Sequence, residues 1–184
     1  MKTKKSKSYH FLVLVPHRDI RQELRRYSDT LFKAGFWGGH HFPWVAPLAR
    51  LSKPLKDTEL KEIGYNISHR FAKISHGFSQ IPTDFHGFIN KDLAIFGSPL
   101  ISFNKILEEF FMRPERKVSK YKIYSPAILG NCLLLKGEQF PDIPPPNLSF
   151  KAAAIANMRF RIIETQDSIE SRWKIGKLFW LKKC

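Results

Sequence analysis

The chain has 184 residues, 43% of them hydrophobic and 14% aromatic, with 31 Lys+Arg against 16 Asp+Glu. This is enough apolar material for one ordinary domain, or two small lobes over a shared core, and it excludes wholesale disorder. A net charge of +15 points to a polyanionic partner, RNA or a nucleotide, or to a surface that is simply well solvated.

The excess charge is uneven. Residues 1–56 hold twelve Lys/Arg against three Asp/Glu, and residues 171–184 hold five against none. No apolar run approaches the roughly 18 residues that span a bilayer, so no membrane partner is expected. Cys132 and Cys184 make no disulfide framework and no Cys/His spacing suggests zinc, which fits a cytoplasmic protein without metal or cofactor.

Residues 1–8 read as a basic tail before a first buried strand, 9–15, which Pro16 ends. Ile20, Leu24, Tyr27, Leu31 and Phe32 then recur at helical spacing, with Asp19 at the helix start and Gly35 at its stop. A strand over 41–51 follows, and Pro47 inside it predicts an edge position or a bulge. Asp57 opens a second helix with Leu60, Ile63 and Ile67 inward. Residues 71–78 and 85–96 read as a hairpin turning near Pro82. In it, His76-Gly77-Phe78 and His86-Gly87-Phe88 form a small echo.

A third helix over 102–112 carries Ile106, Leu107, Phe110 and Phe111 on its core side. A strand over 121–135, a proline-stiffened connection, and strands over 150–162 and 172–181 complete the chain. The order predicts an α+β fold of mostly antiparallel sheet in one domain, 9–184.

Two segments carry the most information. Phe42-Pro43-Trp44-Val45-Ala46-Pro47-Leu48 and Ser125-Pro126-Ala127-Ile128-Leu129-Gly130 are each a proline followed by an alternating apolar run. Their first post-proline residues lie 83 positions apart. This layout resembles the 2H phosphoesterase superfamily, which includes the bacterial 2′-5′ RNA ligase-like proteins. The resemblance implies two pseudo-symmetric lobes, here about 9–97 and 98–184, with or without an exchange of strands between them. A groove between them would carry one His-x-Thr strand from each half.

In that family one histidine is general base and the other general acid of phosphodiester hydrolysis or RNA ligation, and the threonines hold the phosphate. On a strand, residues i and i+2 share a face, so each pair reaches the same groove. Here the equivalent positions are Trp44 and Ala46, then Ala127 and Leu129, and none of the four can move a proton. The resemblance therefore implies a degenerate site, with no catalytic residue at the motif positions.

A divergent enzyme would need its acid and base elsewhere. His40 and His41 are the first candidates, although both read more readily as loop or strand-start residues exposed to water. No histidine follows residue 100 to complete a pair. Asn147 and Ser149 offer another register for the second motif.

For binding, Trp44 is either a stacking platform for a base or an ordinary core residue. Arg50, Lys53, Lys120, Lys122 and Ser125 surround the two motifs as candidate ligand contacts. The resulting expectation is a monomeric, non-catalytic protein that binds RNA or a nucleotide. A divergent phosphoesterase and a structural or protein-interaction module remain as alternatives.

Overall fold

The structure, a computed structural model, describes residues 5–36, 42–71, 76–78, 86–90, 93–99, 103–113, 120–124, 127–135, 142–144, 146, 148–150, 152–164 and 169–181. Eleven strands and three helices lie among them.

The first strand, β1 (Lys5–Pro16), is buried on both faces over its second half: Phe11, Val13 and Val15 point one way, Leu12 and Leu14 the other. Its first residues correct the expected tail, because 5–8 are strand and pair with Arg161–Glu164.

The helix α1 (Arg18–Lys33) buries Ile20, Leu24, Tyr27 and Leu31. Phe32, expected on the same stripe, is 42% exposed. Gly35 ends the helix at φ +87°, a left-handed conformation that glycine adopts without strain.

Next comes β2 (Ala46–Leu51), which lies inside the sheet between β1 and β6 (Tyr121–Ile123). The β1–β2 register shifts between Leu12 and Val13, and Val13 then pairs with Pro47. Proline cannot donate to the ladder, and the irregularity is where an interior strand tolerates it.

The helix α2 (Asp57–Phe71) buries Leu60, Ile63 and Ile67, and α3 (Asn104–Phe111) buries Ile106, Leu107, Phe110 and Phe111. The strands between them are β3 (His76–Phe78), β4 (His86–Asn90) and β5 (Leu93–Pro99). Among the described residues the strands of the predicted hairpin do not pair with each other: β3 pairs with β8 (Leu148–Phe150), and β4 pairs with β5. The expected single strand over 121–135 is likewise two strands, β6 and β7 (Ile128–Leu135), in different sheets.

The last strands are β9 (Ala152–Glu164), β10 (Ile169–Ile175) and β11 (Phe179–Trp180). The largest sheet has the order β10–β9–β1–β2–β6, with β11 also on β9. A three-stranded sheet runs β4–β5–β7 and a two-stranded one β3–β8. Every pairing is antiparallel, and the fold is α+β. Each sheet draws strands from both halves of the chain.

One core cluster joins the three helices to one face of the large sheet and includes Trp44, Ala46, Ala127 and Leu129. A second cluster lies on the opposite face, around Phe11, Phe42, Met158 and Phe160. Among the described residues, no helix is long and apolar enough to cross a membrane.

Candidate functional site

The two proline-led segments do meet, but they meet inside a core. Trp44 is 7% exposed, and Ala46, Ala127 and Leu129 are wholly buried in the same cluster. The Trp44 indole N–H donates to the Ser28 hydroxyl at 2.7 Å, and its ring packs 6.1 Å from that of Tyr27. Of the two readings of Trp44, the structure matches the ordinary core residue, with Tyr27 and Ser28 of α1 against the ring where a base would have to stack. His40, His41, Ser125 and Asn147 lie outside the described residues.

Four of the expected ligand contacts come together at one end of the large sheet. Arg50 and Lys122 are direct cross-strand partners. Lys122 is exposed, with its ammonium 5.9 Å from the centroid of the Tyr124 ring. Burial pushes the Tyr124 phenol well above its ordinary range, against the opposing pull of Arg50.

Lys120 enters β6, and its carbonyl accepts the Ser52 N–H at 3.0 Å. Lys53 sits on the exposed turn after β2. That turn is tied to β9 by Asn157, whose side chain accepts the Leu55 N–H at 3.0 Å and donates to the Leu55 carbonyl at 2.8 Å.

The same end of the sheet holds a cation cluster that the motif comparison does not reveal. Arg159 and Arg161 on β9 are exposed, as are Arg172 and Lys174 on β10. The register pairs Arg161 with Arg172 and Arg159 with Lys174. Direct antiparallel partners share a face, and so do residues two apart on a strand. All four cations thus stand on one face, with backbone anchors at the corners of a rectangle of about 5 by 7 Å.

β1 adds a third column to this array. Its register sets His10 beside Arg159 and Ser8 beside Arg161. Arg159 donates through Nε to the Ser8 hydroxyl at 3.2 Å, and Arg161 does so to Ser6 at 2.7 Å. Arg172 donates through Nε to a Glu170 carboxylate oxygen at 2.7 Å. A guanidinium held by Nε keeps its terminal nitrogens as further donors. His10 is half-buried, and burial first, then the Arg159 charge, lowers its pKa below the ordinary value.

Like charges placed directly opposite each other cost stability, of the order of a few tenths of a kcal/mol per exposed pair. Two such pairs side by side form a site able to hold phosphate oxygens by charge-assisted hydrogen bonds. The signal for it was the alternation Arg159-Phe160-Arg161 and Arg172-Trp173-Lys174, which on a strand sends both cations of each segment to one side.

No protein-family model matches this chain, and no curated protein matches it. Among solved structures, the apo form of LigT from E. coli aligns over 96% of this chain and 98% of that one. The identity is 10% and the TM-score 0.44.

Proposed function

We propose that this protein binds RNA without chemically altering it, through the phosphate backbone, at the basic end of its six-stranded sheet. Arg159, Arg161, Arg172 and Lys174 form the centre of the site. Lys53, on the turn that Asn157 ties to β9, and Lys120 extend it along the same end, and His10, Ser6 and Ser8 line one side.

The observation that carries this reading is the double like-charge pairing across β9 and β10. Glu170 offsets the charge of Arg172 in the isolated protein, and a bound polyanion turns the remaining repulsion into attraction. Contacts of this kind fix affinity and orientation but read no sequence.

The absence of chemistry is supported by the four motif-equivalent positions. Trp44, Ala46, Ala127 and Leu129 carry no group that titrates near neutrality, and all four sit in the core. General acid–base transfer needs a side chain within hydrogen-bond reach of the reacting atom.

The test is the binding of a fluorescein-labelled 12-mer of uridine to the full chain, followed by anisotropy over a salt series. Four phosphate contacts on a single strand predict a slope of about −3 in log K against log salt. The double variant Arg161→Gln, Arg172→Gln is expected to bind at least about ten-fold more weakly, with a slope shallower by about 1.4. A variant matching the wild type in both affinity and slope would refute the proposal.

A further inference from the structure

We infer that the nucleic acid held here is single-stranded, and that Trp173 and Trp180 on the outer strands β10 and β11 stack on its bases. This rests on the phosphate-binding reading above and adds the state of the strand and the groups that recognise it.

Large aromatic side chains are ordinarily covered, yet Trp173 is 46% exposed and Trp180 66%. Their places in the ladder are defined. Trp173 pairs with Phe160 and Trp180 with Ala154 on the same strand, β9. Phe160 and Ala154 both belong to the core cluster on the face away from the cation array. The two tryptophans therefore stand on that face too, six residues apart along β9, or roughly 20 Å. Between them Ile175 and Leu178 are half-buried against the same cluster.

The outer edge of the sheet thus has two unlike sides. Arg172 and Lys174 lie on one, and Trp173, between them in sequence, lies on the other. A strand running along this edge sets phosphates against the cations while its bases turn over the rim onto the indoles. A duplex cannot do this, because its bases are already stacked and paired inside the helix. Stacking of successive bases on aromatic rings beside a basic track is the general solution for single strands.

An exposed tryptophan on an edge strand would serve equally to dock a protein. The cations that flank Trp173 on the same strand favour the polyanion, since its phosphates reach them across the rim while its bases lie on the indoles, whereas a protein docked on the tryptophan face alone gains nothing from them.

The test uses the full chain with two probes, the 12-mer of uridine and a 12-base-pair RNA duplex, read by intrinsic tryptophan fluorescence and by anisotropy. The single strand is expected to quench tryptophan emission and the duplex to leave it unchanged. Trp173→Ala with Trp180→Ala is expected to weaken single-strand binding by about ten-fold or more and duplex binding by less than about two-fold. Should that variant fail to fold, Trp173→Leu with Trp180→Leu keeps the apolar cover, removes the rings and carries the same expectation.

Undiminished single-strand affinity in the tryptophan variant, alongside a loss in Arg161→Gln, Arg172→Gln, would overturn the stacking inference and leave the phosphate site standing. Undiminished affinity in both variants would overturn both. A dimer that dissociates on replacing Trp173, with RNA affinity unchanged, would assign this edge to a protein partner and also overturn the inference.

Discussion

His10 sits where the cation array meets the sheet interior, with Arg159 beside it on β9 and Leu51 on β2. Burial and Arg159 both favour its neutral form, so its folded pKa lies below the ordinary 6.5. As pH falls below that ordinary value, the unfolded chain takes up a proton that the folded chain refuses, and stability drops. Denaturant midpoints measured between about pH 7.5 and 5.5 should therefore decline more steeply for the wild type than for His10→Gln. Removing the neighbouring charge with Arg159→Gln should soften the decline. Parallel profiles for the three proteins would mean that His10 is not held neutral in this way. Trp44, which the sequence leaves as either a base-stacking platform or a core residue, packs in the core on Ser28 and Tyr27.

At the scale of elements, the seating of α2 on β9 is set by Gly64. A Cβ there would come 3.1 Å from the Cγ2 of Ile155, which is wholly buried and has little room to yield. Alanine at a helix interior is otherwise favoured over glycine by about 1 kcal/mol. Gly64→Ala is nonetheless expected to destabilise by about 1 kcal/mol net, because overpacking a filled core costs about 1–3 kcal/mol. Ile155→Leu moves the branch away from Cβ, so the double variant should be less damaged than the two single losses predict, by about 0.5 kcal/mol or more. Urea unfolding of the four proteins checks this. A stabilised Gly64→Ala would show that the helix can lift off the strand at no cost.

The helices were legible because each buries a stripe at helical spacing, as Ile20, Leu24, Tyr27 and Leu31 do. Long-range pairing was not legible. Lys5-Ser6-Lys7-Ser8 has no apolar residue and becomes strand only because β9 lies beside it. His76-Gly77-Phe78 resembles its neighbour in sequence yet pairs with β8. The cation array falls between these cases. The alternation in each strand is local and readable, but the pairing of Arg161 with Arg172 depends on register.

The whole molecule separates what the sequence pattern drew together. The proline-led segments converge, and the space between them is filled by Trp44 and aliphatic side chains from both halves. The charge gathers instead at the end of the large sheet where β1 and β10 begin and β2 and β9 approach their ends. Strand exchange makes this possible, since β1 and β2 come from the first half of the chain and β9 and β10 from the second.

The most direct measurement is a map of backbone amide shifts in the isotope-labelled full chain as unlabelled 12-mer of uridine is added. The largest changes are expected at residues 157–163 and 170–176, and they should fade as salt is raised. Shifts concentrated at residues 44–48 and 127–129, with the array unmoved, would contradict the account and return the binding site to the junction of the two segments.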